Sequence, residues 1–90
     1  MALSKTVNLG SIEVKDAYKR VDQVNYKGNV HVVVNTYGTK ADAEAGELPI
    51  LPAEKHDFSI EDCGGKEGFS IAKVYELVKA TPENEGAVDA

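Results

Sequence analysis

The sequence predicts an α+β domain, in which a small, mainly antiparallel β-sheet is covered by one C-terminal amphipathic helix, with a short helix near residues 40–45. Three observations lead to this fold class. Apolar and polar residues alternate in several short segments before residue 61, as they do in half-buried strands. One later segment, 70–80, repeats its apolar residues at helical spacing. The chain has 90 residues, so residues 1–90 are expected to fold as a single domain.

Two strands are expected on either side of a Gly10-Ser11 turn. The first is Leu3–Leu9, and the second begins at Ile12 and reaches Tyr26. Val21 interrupts the alternation of the second strand, which predicts a bulge or a bend near residues 20–22. One face of this strand is expected to carry Ile12, Val14, Tyr18, Val24 and Tyr26, and the other Lys15, Lys19, Gln23 and Asn25.

Two more strands are expected further along the chain. Val30–Tyr37 follows a short hairpin connection at residues 27–29, where glycine and asparagine tolerate positive φ. Its valines at 32–34 place apolar side chains on both faces, which predicts a strand that is central or covered on both sides. Lys55–Ile60 alternates in the same manner as the early strands. Glu61–Gly68 contains three glycines and is expected to be a loop.

The segment between the third and fourth strands predicts a short helix and an extended stretch. Thr39 is a candidate cap for the amide of Asp42, and Gly46 suits a left-handed helix exit. Leu48–Pro52 is expected to be extended, because proline disfavours the α region for the residue before it. This stretch either covers a face of the sheet or serves as a docking arm.

The main helix is expected at Ser70–Ala80, with Ser70 as its cap. Pro82 ends it, and Thr81 is expected to cap a further single turn that stops at Gly86. The apolar stripe of the helix consists of Ile71, Val74, Tyr75 and Val78, broadened by Leu77.

Size and charge bound the classes of function. The net charge is −5, which argues against nucleic-acid binding. Residues 1–35 hold five basic and three acidic side chains, whereas residues 36–90 hold five lysines and twelve acids. This asymmetry favours head-to-tail contacts between copies, or it is simply a solvated surface. The thin core of so short a chain also favours an oligomer. No apolar run of about 18 residues indicates a membrane span, and the single Cys63 fits a reducing cytoplasm.

No pattern of catalytic or cofactor-binding residues stands out. His31, His56 and Cys63 match no zinc spacing, and a Cys63 nucleophile with a histidine base has no supporting motif. The glycines at 64–68 lack the Gly-Lys-Ser/Thr ending of a phosphate loop. The acidic residues near position 60 lack the pattern of a calcium loop. We therefore expect no cofactor, no metal and no enzymatic activity.

Several short motifs together resemble a known group of proteins. They lie at Met1–Thr6, Val14–Val21, Val30–Tyr37, Lys40–Gly46 and Ala72–Asp89. The set is similar to small, mostly uncharacterised proteins of tailed bacteriophages and prophages that are encoded among virion genes. Its members are packing and turn residues, and none specifies a reaction. In those proteins an aromatic residue usually follows the Pro-Glu turn, whereas this chain has Asn84.

The resemblance implies a virion or virion-assembly role, with the tail or its distal parts favoured, for a protein made in the bacterial cytoplasm. We expect a non-enzymatic structural component that acts in multiple copies, as a homo-oligomer in contact with other virion proteins. Segments 1–9 and 82–90 are candidate arms that add to a neighbour's sheet edge. The expected contact residues are Val30, Val32, Val34, Leu48, Ile50, Leu51, Pro82 and Val88.

Two other functions stay open at this point. An assembly chaperone, or another phage binding module, would bind one partner and be missing from the finished particle. An acidic regulator of a host protein would use residues 54–67 to mimic a polyanion, with binding that collapses above about 0.5 M salt.

Overall fold

The computed structural model describes residues 2–90 as a five-stranded antiparallel sheet with three α-helices, which confirms the α+β class. The strands run in the order β4-β3-β2-β1-β5 across the sheet. Met1, part of the expected N-terminal arm, lies outside the described residues. The strands are β1 Leu3–Leu9, β2 Ile12–Lys27, β3 Asn29–Tyr37, β4 Glu54–Phe58 and β5 Val88–Asp89. The helices are α1 Lys40–Glu44, α2 Gly65–Gly68 and α3 Ile71–Lys79, and a 3₁₀ turn follows at Pro82–Asn84.

β2 connects the two halves of the sheet and carries two irregularities. Its first part pairs with β1 and its second part with β3. One register shift lies opposite Thr6, next to Asp16, which has a positive φ of 53°. The other lies between Val21 and Gln23, which confirms the predicted irregularity near residues 20–22. Each extra residue reverses the faces to which the following side chains point.

The two shifts explain which β2 residues face the helix. Between them the odd-numbered side chains point inward, so Ala17 and Lys19 are buried. The expected placement of Tyr18 on this face, with Lys19 opposite, was therefore wrong. Before the first shift (residues 12–14) and after the second (residues 24–26), the even positions lie on the same side of the sheet as the helix, as expected. The helix-facing series pairs Val14 with Val7, Ala17 with Lys5, Lys19 with Leu3, Val21 with Val34 and Val24 with Val32.

The core forms where α3 crosses the part of the sheet that contains β3. Ser70 caps α3 by accepting from the Lys73 amide at 3.2 Å, as the sequence predicts. Val74, Tyr75 and Val78 are buried with Val30, Val32 and Val34 in one cluster. The three β3 valines are 0–1% exposed, and β3 lies between β4 and β2 rather than at an edge. The central position predicted for this strand agrees with the structure, but Val30, Val32 and Val34 were also expected to be contact residues, and this is corrected: they are core residues.

The C-terminal segment belongs to the fold and is not a free arm. Asn84 and Ala87 are buried, β5 pairs with Leu3 and Ser4, and the Ala90 amide donates to the Ala2 carbonyl at 3.0 Å. The Thr81 hydroxyl donates to the Val78 carbonyl at 2.6 Å instead of capping the next turn. The tail is held by the hydrogen bonds of Asn84 to Lys19 and Glu54 and by the pairing of β5 with β1.

The segment between β3 and α3 largely follows the expected layout. Thr39 accepts from the Asp42 amide at 3.1 Å and caps α1, and Gly46 has a φ of 77°. The expected loop at Glu61–Gly68 instead contains the single turn of α2. The fourth strand is Glu54–Phe58, whereas Lys55–Ile60 was expected, so it both begins and ends earlier in the chain than predicted.

Candidate functional site

The β1–β2 hairpin extends beyond the part of the sheet that α3 covers. We call residues 5–16 the arm. Within β2, residues 12–17 pair with β1 and precede the first pairing with β3, which begins at Tyr18. The molecule measures 42 × 25 × 20 Å, and its long dimension is consistent with the length of β2. The arm is thus a two-stranded projection from a compact body.

One face of the arm is apolar and lies outside the core. Val7 pairs with Val14, and Leu9 pairs with Ile12, so four apolar side chains lie on the same side as α3. None of the four belongs to the hydrophobic core cluster or packs against it. Ile12 is 64% exposed, and the other three are half-buried. The opposite face carries polar residues such as Asn8 and Glu13. An amphipathic hairpin with an uncovered apolar face is typical of a contact surface.

The outer edge of the arm is open as well. β5 is two residues long and pairs with Leu3 and Ser4 alone. From Lys5 to Leu9, the described residues include no strand on that side of β1. Unpaired strand edges accept further strands from other chains. The arm therefore combines an apolar face with a free backbone edge.

A second apolar surface lies at the other end of β2. Val24, Tyr26, Val30, Ile60, Lys66 and Phe69 line a groove of about 340 Å³. Tyr26 is more than half exposed there, and Phe69 is 37% exposed. The groove and the arm are separated by most of the length of β2.

A buried polar cluster lies under the 3₁₀ turn. Lys19, 3% exposed, places its ammonium 2.6 Å from a carboxylate oxygen of Glu54 and donates to the Asn84 side-chain oxygen. The Asn84 amide group donates in turn to the Val78 carbonyl at 3.1 Å and to Glu54 at 3.3 Å. The lysine charge is compensated by a carboxylate, so this cluster joins β2, β4 and the tail structurally.

A second polar cluster lies on the face away from α3. Asp22 accepts from the Tyr37 hydroxyl, from the Asn35 amide at 2.7 Å and from Arg20. Burial raises the pKa of Asp22, but these hydrogen bonds outweigh it and hold the pKa below its ordinary value. The Arg20 guanidinium lies 5.1 Å from the centre of the Tyr37 ring and reaches the Ala43 carbonyl. The cluster fastens α1 to the sheet.

The remaining predicted contact residues do not form one surface. Leu48 is 86% exposed, and Ile50 and Leu51 are half-buried in the segment that precedes β4. The Ile50 amide donates to the Thr36 carbonyl at 2.8 Å, which ties this segment to β3. Pro82 and Val88 are exposed, but Val88 lies in β5, at the opposite edge of the sheet from β4.

Ile12 was missed as a candidate, and Leu9 was included only as the last residue of the candidate arm at 1–9. A signal existed in the sequence, since apolar residues alternate on both sides of the Gly10-Ser11 turn. What the sequence did not reveal was that α3 leaves them uncovered.

The groups considered for chemistry are dispersed. Among residues 2–90, no three His, Cys, Asp or Glu side chains are grouped to hold a metal ion. Cys63 is buried, and burial followed by the nearby Asp62 charge raises the pKa of its thiol, which disfavours the thiolate. His31 pairs with Asp57 on the surface and is not grouped with Cys63. In the part of the chain that is described, no helix has the length and apolar character needed to cross a bilayer.

Comparisons with protein-family models, with curated proteins and with solved structures give no match to this chain.

Proposed function

We propose that the protein is a non-enzymatic structural component of a tailed-phage virion, in the tail or its distal parts, that acts in multiple copies through contacts with other virion proteins. The observation that carries the proposal is the arm, whose apolar face of Val7, Leu9, Ile12 and Val14 lies outside the core. Covering one large aliphatic side chain is worth about 1.5–3 kcal/mol, so a partner that covers this face gains binding energy.

Two further observations support a contact role. The polar clusters around Lys19 and Asp22 are internally paired and connect secondary-structure elements to each other. The motifs that resemble phage virion proteins are likewise packing and turn residues. The favoured partner is a neighbouring virion protein that offers a complementary apolar surface to the arm.

The test compares two variants of the arm during phage growth. Leu9→Thr with Ile12→Thr removes the half of the apolar face nearest the Gly10-Ser11 turn but retains residues that favour strands. The matched control, Asn8→Thr with Glu13→Thr, alters the cross-strand pair next to it on the polar face. Phage lacking the gene are complemented with each version, and the protein in purified particles is quantified by mass spectrometry. Circular dichroism of the purified variants checks that both fold.

We expect wild type and control to enter particles, and the apolar-face variant to fall at least about tenfold, the equivalent of 1.4 kcal/mol. Wild-type protein present in lysates but absent from finished particles would overturn the structural role and favour an assembly chaperone. Equal incorporation of both folded variants would exclude the apolar face as the contact.

A further inference from the structure

The direction of the backbone groups along β1 shows which of them are free. The Ala2 carbonyl accepts from the Ala90 amide at 3.0 Å, so Ala2 directs its backbone groups to the outer edge. In a strand, the N–H and C=O of one residue point to the same side, and the side alternates from residue to residue. Ser4, Thr6 and Asn8 therefore also point outward. β5 pairs with Ser4, which leaves the N–H and C=O of Thr6 and Asn8 for another strand.

From this geometry we propose that a second copy of the chain pairs with this edge, β1 against β1, antiparallel and with a two-fold axis at Val7. The proposal rests on the proposed multi-copy function and specifies the contact between copies. In this register, Thr6 of each copy lies opposite Asn8 of the other, and each such pair exchanges two backbone hydrogen bonds. The two Val7 residues face each other as a non-hydrogen-bonded pair. The interface is isologous and closes as a dimer.

The unpaired edge of β1 has the length that pairing with β1 of a second copy requires. With Val7 on the axis, Leu9 of the second copy lies opposite Lys5 of the first. The second copy then turns at Gly10-Ser11 toward its own β2, away from the first copy. The next position on the first copy is Ser4, which β5 already occupies. The paired segment therefore ends where the free edge ends, on both sides of the axis.

The side chains are also compatible with self-pairing. The polar residues Thr6 and Asn8 meet on one face, and the Val7 side chains meet on the other, so the apolar faces of the two arms join into one strip. Lys5 does not block the edge, because its ammonium is bound to the Glu83 carbonyl at 2.7 Å. The opposite edge strand, β4, contains Glu54, Lys55 and Asp57, charges of the kind that protect an edge from pairing.

The first test removes one outward N–H. Proline is tolerated on an edge strand where the N–H faces solvent, so Asn8→Pro is expected to fold. Asn8→Ala is the matched control, because it removes the side chain and keeps the N–H. Size exclusion with light scattering should give twice the chain mass of 9.7 kDa for wild type and Asn8→Ala, and the single chain mass for Asn8→Pro. Circular dichroism confirms folding of the proline variant. A dimer that persists in folded Asn8→Pro overturns the proposed pairing.

The second test locates the axis. Cα atoms of a non-hydrogen-bonded pair lie about 4.5 Å apart, which permits a disulfide. Val7→Cys should therefore form a covalent dimer on oxidation, while the native Cys63 is buried. Leu9→Cys is the control, since its two copies would lie about four residues apart along the strands, roughly 13 Å. Failure of Val7→Cys to cross-link, or equal cross-linking of Leu9→Cys, contradicts the register.

The two proposals fail in different ways. A monomeric wild-type protein that still enters particles overturns the β1 pairing and leaves the virion role in place. A wild-type dimer that is absent from particles supports the pairing and overturns the virion role.

Discussion

Lys19 is a buried residue that links β2 to β4 and to the tail. It lies on the helix side of β2, yet it is charged, and Glu54 and Asn84 satisfy its ammonium group. A buried ion pair contributes little net stability over an apolar pair, but loss of one member leaves an uncompensated charge. In this chain the pair also determines where the tail docks, because Asn84 bonds both Lys19 and the end of α3.

This leads to a prediction for single and double substitutions. Glu54→Gln should lower the free energy of unfolding by about 3–5 kcal/mol, because Lys19 stays buried without a counter-charge. Adding Lys19→Met should restore much of that loss, since the charge is then removed as well. Urea unfolding monitored by circular dichroism gives the free energies of unfolding of wild type, Glu54→Gln, Lys19→Met and the double variant. Additive losses in the double variant would contradict an interaction between the two residues.

The burial of Lys19 could not be predicted from the sequence. An even-odd pattern assigns faces correctly only while the register is regular. The extra residue beside Asp16 reverses the faces. Aspartate adopts a positive φ more often than most residues, but nothing in the surrounding sequence marks Asp16 as the position that does so. The second shift, near Val21, was predictable from the sequence, because Val21 interrupts the alternation of apolar and polar residues.

At the scale of elements, the longer strands and helices were predictable. β1, β3 and α3 lie close to their expected bounds, because alternation and helical spacing are local signals. α1 was predicted from its Thr39 cap and its Gly46 exit, which are also local signals. β5 was not predicted, since a strand of two residues has no period. The docking of the tail was missed for a related reason: it depends on Asn84 and Ala87 reaching partners far away in the sequence.

Because the C-terminal tail is part of the fold, its deletion is predicted to destabilise the domain, which a freely projecting segment would not do. Deleting residues 82–90 removes Asn84 from Lys19 and Ala87 from the core, so the domain should lose most of its stability. Deleting 88–90 is the matched control, because it removes β5 and keeps both buried residues. We expect a small loss for the shorter deletion, about 1–3 kcal/mol for the hydrogen bonds of β5. Equal thermal melting of both truncated chains would show that the tail is dispensable.

At the scale of the whole molecule, the ratio of helix to sheet explains the arm. α3 has nine residues and spans about 14 Å, whereas β2 has sixteen residues and runs along the 42 Å length of the molecule. One helix of this length covers the half of the sheet that contains β3 and leaves the β1–β2 end bare. The lengths of α3 and β2 could be predicted from the sequence. The position of α3 over β3 could not, because it depends on packing between distant segments.

The same imbalance predicts that the arm opens separately from the body. Its apolar side chains lie outside the core, so the hydrogen bonds between β1 and β2 are stabilised by fewer buried contacts than those of β3. In native-state hydrogen exchange, the amides of Val7 and Leu9, which point toward β2, should exchange through local openings well below the free energy of global unfolding. The amides of Val32 and Val34 serve as the internal control and should exchange at the global value. An arm that exchanges at the same free energy as β3 would mean that it is part of one cooperative unit, and that its apolar face is less available to a partner than the structure indicates.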